Sequence, residues 1–185
     1  MINDVMIWRT CRVLANESRL KILKRLMRGA EMCVTDISEV EGVSLVTASE
    51  HLRLLHQIGF LRQEREGKWI FYTASLSAGF PLVEKIYNPL KKRLIMPESQ
   101  IPSLLKLMTA FTHPRRVEIL KCLVVASRSF DELVELCDMS PMAMRRHLGK
   151  LVSRDIVRQD SDIYRITSGG IELKRVLIRI CGELK

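Results

Sequence analysis

The chain has 185 residues, of which 47% are hydrophobic, enough for one large or two small domains with an apolar core and too many for a disordered protein. It has no apolar run near the roughly 18 residues that span a bilayer, and its first residues show no signal peptide. Thirty lysines and arginines against 21 aspartates and glutamates give a net charge of +9, which favours a polyanionic partner but does not indicate a fold.

Four helices are predicted at the start of the chain. The first covers Asp4–Ala15, and the second has apolar residues at helical spacing over 20–27. A short third helix starts near Thr35. The fourth begins at Ser44, because serine is a favoured N-cap. The apolar stripe of the fourth helix consists of Ala48, Leu52 and Leu55.

A β-hairpin and a fifth helix follow. The strands are predicted over Phe60–Arg65 and Lys68–Ala74, with a turn at Glu66-Gly67. The fifth helix covers Leu82–Ile95, and Pro89 should kink or interrupt it. This order of three helices, a helix in helix-turn-helix position, a hairpin and a last helix is that of a winged helix-turn-helix domain.

The second half of the chain repeats the first. Residues 16–23 align with residues 113–120 at an offset of 97, with arginine on arginine and Ile-Leu on Ile-Leu. His51-Leu52 aligns with His147-Leu148 at an offset of 96, and 69–73 align with 163–167 at an offset of 94. Three matches in the same order indicate two homologous units. We therefore predict two domains, 1–97 and 98–185, joined near Pro97-Glu98-Ser99-Gln100.

The elements of the second unit follow from the same signals. One helix is predicted over Ile101–Phe111. A second begins at Pro114, because proline suits a first helical turn. A third begins after Ser129, which forms a capping box with Glu132. A helix begins at the N-cap Ser140. The apolar stripe of this helix consists of Met144, Leu148 and Leu151. The last helix is predicted over Ile171–Glu183. The predicted fold class is mainly α with small β-hairpins (α+β), as two tandem winged helix-turn-helix domains.

Four segments of the first unit carry a family resemblance. They are Leu14–Leu23, Met32–Ile37, Ser44–Leu55 with its Ser-Glu-His-Leu step, and Gly67–Tyr72. In these segments the chain resembles the arsenic-repressor (ArsR/SmtB) family of winged-helix transcription regulators; the second unit is a weaker match. The resemblance implies a DNA-binding regulator, usually a homodimer through its first and last helices, with a ligand or metal often switching its affinity for DNA.

Helical geometry then identifies candidate DNA-contacting residues. With Ala48 facing inward at 100° per residue, an outward face remains that a recognition helix would place in the major groove. In the first unit the candidates are Ser44, Val46, Thr47, Ser49, Glu50 and Arg53, with Arg62, Arg65 and Lys68 around the hairpin tip. In the second unit they are Ser140, Met142, Arg145, Arg146 and Lys150. Glu50 departs from the pattern, since an acid in the groove suits only a cytosine amino group, and the second hairpin tip, Asp160-Ser161-Asp162, would repel phosphates.

No cofactor or strong metal site is predicted. Relatives that sense soft metals often have a Cys-x-Cys step at the third helix, but here Cys33 is followed by Thr35, so Cys33 and Cys11 are only weak candidate ligands. The zinc site of other relatives uses Asp and His on the last helix, and 82–95 contain neither. The odd number of cysteines, five, without CxxC spacing, favours reduced thiols and a cytoplasmic location.

The favoured function is a prokaryotic-type, sequence-specific DNA-binding transcriptional regulator, a repressor, which is not an enzyme because no catalytic motif is present. Its partner is double-stranded DNA, and a small-molecule effector is left open. The two units pair as a pseudo-dimer within one chain and bind an asymmetric operator, or the whole chain forms a homodimer in which only the first units contact DNA. The alternative is a winged-helix protein–protein interaction module that has lost DNA binding; Glu50 and the acidic second tip favour it, and the net charge opposes it.

Overall fold

The computed structural model describes residues 2–76, 78–97 and 100–184. These residues form two units, one made of Val13–Leu105 and the other of Met1–Arg12 with Lys106–Lys185. The predicted domains, 1–97 and 98–185, divide the chain differently, because residues 2–12 and 100–105 fall in the opposite unit. The tandem domain assignment stays a prediction, and Glu98 and Ser99 of the predicted linker lie outside the described residues.

The first five helices and the first hairpin closely follow the predicted pattern. The elements are α1 (Asp4–Leu14), α2 (Glu17–Met27), α3 (Val34–Glu41), α4 (Leu45–Gln57), β1 (Leu61–Glu66), β2 (Trp69–Ala74) and α5 (Pro81–Leu94). In the antiparallel hairpin Leu61 pairs with Ala74 and Glu66 with Trp69. Gly67, at φ 60°, provides the left-handed residue that the two-residue turn requires.

The elements of the second half occur in a similar order. They are α6 (Ile101–Ala110), α7 (Pro114–Val125), β3 (Arg128–Ser129), α8 (Phe130–Leu136), α9 (Pro141–Ser153), β4 (Val157–Asp160), β5 (Ile163–Ile166) and α10 (Glu172–Glu183). The three strands form an antiparallel sheet in the order β3-β5-β4. In the first half an isolated antiparallel bridge joins Met32, which precedes α3, to Tyr72 of β2.

Two sequence predictions need correction. Pro89 does not interrupt α5, which is one helix from Pro81 to Leu94, whereas the kink that was the other expectation for Pro89 stays a prediction. A helix can continue past proline when it forgoes the one hydrogen bond that the missing N–H would make. The short strand β3 was not predicted, since a two-residue segment has no periodicity and depends on pairing of Arg128 with Tyr164.

The apolar stripes predicted on the helices form the cores of the two units. In the first unit Leu20, Leu52 and Leu55 are fully buried, and in the second Leu120 and Leu151 are too. Each stripe has residues three or four positions apart, which face the same side of a helix. The stripes therefore fix which faces of α4 and α9 remain in solvent.

Two arginines at equivalent repeat positions hold the start of α2 and of α7. Arg116 is only 9% exposed; its Nε donates to the Ala110 carbonyl at 2.7 Å and its Nη2 to the Thr109 carbonyl at 3.0 Å and to Thr112 Oγ1 at 2.7 Å. Arg19 Nε likewise donates to the Val13 carbonyl. In each unit the guanidinium thus satisfies carbonyls at the end of the preceding helix.

Serine caps determine where α4 and α9 begin. Ser44 Oγ accepts from the Thr47 N–H at 3.1 Å, and Ser140 Oγ accepts from the Ala143 N–H at 3.3 Å. We expect Ser44→Ala and Ser140→Ala each to lower the free energy of unfolding by about 1 kcal/mol, measured by urea denaturation. Ser49→Ala, at an exposed position inside α4, is the control and should change it by less than about 0.5 kcal/mol; an equal loss in that variant would contradict the capping role.

None of the described helices is both long enough and apolar enough to cross a membrane.

Candidate nucleic-acid interface

The outward face of α4 is exposed as the helical spacing predicts. Val46 is 80% exposed, whereas Ala48, Leu52 and Leu55 on the opposite face are fully buried. Ser44, Ser49, Glu50 and Arg53 are exposed and Thr47 is half-buried. Leu45, which the sequence reasoning did not include, is exposed beside Val46. The result is a polar helix face with a protruding apolar side chain near its N-terminus.

Glu50 and Arg53 form a two-point ion pair on this face. Arg53 Nε donates to Glu50 Oε2 and Arg53 Nη2 to Glu50 Oε1, both at 2.7 Å. This hydrogen bonding holds the pKa of the Glu50 carboxyl below its ordinary value and raises the pKa of Arg53. The charge of Glu50 is therefore balanced by its neighbour. The sequence analysis did not predict this pair, although the i,i+3 spacing of Glu50 and Arg53 is a signal that could have indicated it.

The first hairpin presents its three basic residues to solvent. Arg62 pairs with Glu64 at 2.6 Å, and Arg65 Nε donates to the Gly67 carbonyl at 3.1 Å. Lys68 Nζ lies 5.3 Å from the ring centre of Trp69, a half-exposed residue that the sequence reasoning overlooked. Positive charge at a hairpin tip suits contact with phosphates.

The exposed face of α9 is more basic than that of α4. Met142 is 82% exposed, and Ser140, Arg145, Arg146 and Lys150 are exposed as predicted. The Arg145 guanidinium lies 5.0 Å from the ring centre of Phe130 on α8. This cation–π contact holds Arg145 near the N-terminal end of α9, where a recognition helix meets base edges.

The second hairpin balances its acidic tip with arginine. Asp160 accepts from Arg158 Nε at 3.2 Å and also pairs with Arg165. Asp160 therefore has less negative charge available to repel phosphates than the sequence alone suggested. Asp162 is exposed at the same turn.

Buried histidines lie on the inner sides of α4 and α9. His51 and His147 are both buried, and among the described residues the Nδ1 atom of each has no hydrogen-bond partner. Burial, the neighbouring His113 and Arg146 lower the pKa of His147 to about 4; the His113 ring centre is 4.5 Å away. Neutral imidazoles therefore pack beneath the exposed faces.

We expect acid to destabilise the protein through His147. Its folded pKa of about 4 lies below the ordinary value near 6.5, so the unfolded chain binds more protons between these values and stability falls as the pH drops through that window. Urea denaturation should show a smaller loss from pH 7 to pH 4.5 in His147→Leu than in the unsubstituted protein. An unchanged pH dependence in that variant would contradict the assignment.

The cysteines predicted as weak metal ligands are both buried. Cys11 is fully buried, which raises the pKa of its thiol. Cys33 is the N-cap of α3, where its N–H donates to Asp36 Oδ2 at 2.7 Å and its Sγ lies 2.8 Å from Thr35 Oγ1. Across the described ranges no three His, Cys, Asp or Glu residues are close enough to hold a metal ion. The start of α3 presents the thiol of Cys33 and the hydroxyl of Thr35, whereas soft-metal sites use several thiolates.

Comparison with known proteins places the similarity in the first half of the chain. The family model described as "Bacterial regulatory protein, arsR family" matches residues 16–63, which include α2, α3 and α4. The chain is 33% identical over 85 residues to a cadmium resistance transcriptional regulatory protein CadC homolog from Staphylococcus aureus, covering 46% of this chain and 70% of that protein.

Two further relatives are matched over shorter segments. A CadC protein from Listeria innocua is 36% identical over 61 residues, which are 33% of this chain and 51% of that protein. The arsenical resistance operon repressor of Escherichia coli is 38% identical over 64 residues, which are 35% of this chain and 55% of the repressor. The chain thus spans about half the length of these two relatives.

Proposed function

Because the chain belongs to the arsR family of bacterial regulatory proteins, we propose that it is a sequence-specific DNA-binding transcriptional repressor that reads base edges with the outward face of α4. The observation that carries this proposal is the exposure of Val46, Glu50 and Arg53 on a helix whose other face is buried. The N-terminal part of such a helix fits the major groove, where base pairs have distinct donor and acceptor patterns.

The first hairpin is proposed to lie along the phosphate backbone. Arg65 and Lys68 are exposed at its tip and Arg62 is exposed farther along β1, and contacts of lysine and arginine with phosphates supply affinity without sequence information. The base-reading helix and the phosphate-binding hairpin would then have separable roles, which substitution can distinguish.

We expect Arg62→Ala/Arg65→Ala to weaken binding to selected and scrambled duplexes by the same factor. It should also reduce the slope of log affinity against log salt concentration by about two, because two phosphate contacts are lost. Fluorescence anisotropy with fluorescein-labelled 30-base-pair duplexes at several salt concentrations measures both quantities. Arg175→Ala/Arg179→Ala removes the same charge from exposed positions on α10 and should leave the slope unchanged. A sequence-dependent loss in the hairpin variant would contradict the phosphate role.

The second unit is proposed to supply a second DNA-reading helix, α9, through Arg145 and Arg146. Both side chains are exposed, and arginine can form two hydrogen bonds to guanine. Since Arg146 occupies the repeat position of Glu50, the two units would read different bases. A pseudo-dimer within one chain would bind an asymmetric site, whereas a homodimer reading only through α4 would bind a palindrome.

A protein-interaction module is the second candidate function. The specific observation in its favour is that Val46 and Met142, both about 80% exposed, lie at equivalent places on α4 and α9, where apolar side chains would also suit a protein partner. The pairing of Glu50 with Arg53 and of Asp160 with two arginines weakens the case, because these acids then repel DNA less.

A repressor would act on the chromosome, so the cytoplasm is the proposed location.

A further inference from the structure

Two free cysteines of the second unit are in direct contact. Cys122 on α7 and Cys137 at the end of α8 have their Sγ atoms 3.7 Å apart. A disulfide bond is about 2.05 Å long, so the two sulfur atoms have to approach each other by less than about 2 Å to form one. These residues are 15 positions apart, and no CxxC or other short spacing marks them in the sequence.

The two thiols differ in their access to solvent. Cys122 is half-buried, while Cys137 is only 1% exposed. Burial and the adjacent Cys122 raise the pKa of Cys137 to about 12, which keeps it protonated and slow to react with oxidants in solution. The pair thus has one thiol that a small oxidant can reach and a second that is shielded beside it.

We propose that Cys122 and Cys137 are a redox modification site at which a hydroperoxide forms a reversible disulfide. The Cys122 thiolate attacks the peroxide, the O–O bond breaks, and a sulfenic acid and an alcohol or water are formed. The Cys137 sulfur then attacks the Cys122 sulfur, the S–O bond breaks, and water leaves with the Cys137 proton. The two thiols lose two electrons in all, and the hydroperoxide gains them.

The disulfide would connect α7 to the turn that precedes α9. Cys137 is the C-cap of α8, and its N–H donates to the Leu133 carbonyl at 3.1 Å. Its own carbonyl accepts from Arg115 Nη1 at 3.3 Å, and the N-cap of α9, Ser140, follows three residues later. A covalent link at this place restricts the unfolded chain and adds to stability, so oxidation should raise the Tm by roughly 5 °C or more.

The test is mass spectrometry on the full chain after treatment with hydrogen peroxide. Free thiols are alkylated before digestion, and the expected product is a cross-linked peptide containing Cys122 and Cys137 that dithiothreitol reverses. Cys11 and Cys181, both fully buried, should be recovered as thiols and serve as internal controls. Recovery of Cys122 and Cys137 as thiols or as sulfinic acids, or cross-linking to another cysteine or another chain, would overturn the proposal.

Variants give a second measurement. Cys122→Ser and Cys137→Ser should each abolish the cross-link and the rise in Tm on oxidation, while Cys33→Ser, the matched control in the first unit, should retain both. The peptide cross-link in the unsubstituted protein is decisive even where a variant folds poorly. Because these readouts involve no DNA, failure here is distinguishable from failure of the proposed function.

Discussion

Val46→Glu is expected to lower the affinity of the protein for its selected DNA duplex by about 100-fold. Val46 is 80% exposed near the start of α4, where a recognition helix meets base edges. A carboxylate there would face phosphates and groove acceptors with no donor to satisfy it, and loss of one good base contact costs about 1–3 kcal/mol. Anisotropy titration with the duplex that the unsubstituted protein selects from a random pool measures the loss.

Val125→Glu is the matched control for this substitution. Val125 is 78% exposed at the end of α7, so the same charge is introduced at nearly the same exposure but on a different helix, outside α4 and outside the strands of both hairpins. The affinity of this variant for DNA should stay within about 3-fold of that of the unsubstituted protein. A change of that size is expected from the altered net charge alone, which weakens the electrostatic attraction to phosphates. Equal losses in the two variants would show that α4 has no special role.

Arg116→Met is expected to have the largest effect on folding, a loss of about 2–4 kcal/mol in the free energy of unfolding. The guanidinium is 9% exposed and donates to two carbonyls and a hydroxyl at the end of α6. Methionine keeps the apolar stem but removes all three hydrogen bonds. The buried Ala110 carbonyl loses its guanidinium donor, which costs about 1–3 kcal/mol, whereas the Thr109 carbonyl keeps a bond from the Thr112 hydroxyl. Urea denaturation followed by circular dichroism measures the change.

Arg115→Met provides the neighbouring control. Arg115 is exposed; it pairs with Glu118 at 2.9 Å and donates a longer hydrogen bond to the Cys137 carbonyl at 3.3 Å, so its replacement should cost only about 1 kcal/mol. Arg19→Met, at the repeat position in the first unit, should be destabilising in the same direction as Arg116→Met, since Arg19 also donates to a carbonyl of the preceding helix. A loss no greater in Arg116→Met than in Arg115→Met would contradict the anchoring role.

Local signals in the sequence were sufficient for the helices and for the exposed face of α4. The caps Ser44 and Ser140 and the capping box of Ser129 with Glu132 occur as predicted, because these interactions involve residues three positions apart. The alternation of Ala48, Leu52 and Leu55 with exposed residues likewise needed only helical geometry. Both hairpins form at the predicted places.

Features that depend on distant contacts were missed. The strand β3 exists only through pairing with β5, and α5 continues past Pro89 where local propensity favoured a break. The contact of Cys122 with Cys137 requires α7 and α8 to pack together. The pairing of Asp160 with Arg158 and Arg165 needed the strand register. Each of these arises from tertiary structure, which overrides local preference.

The most direct test of the account is selection of bound duplexes from a random-sequence DNA pool by the full chain. We expect one asymmetric motif to be enriched, bound at least about 1,000-fold more tightly than its scrambled version at physiological salt, and no enrichment by Val46→Glu. A pool that stays random after repeated selection, or a motif that Val46→Glu enriches equally well, would contradict sequence reading through α4.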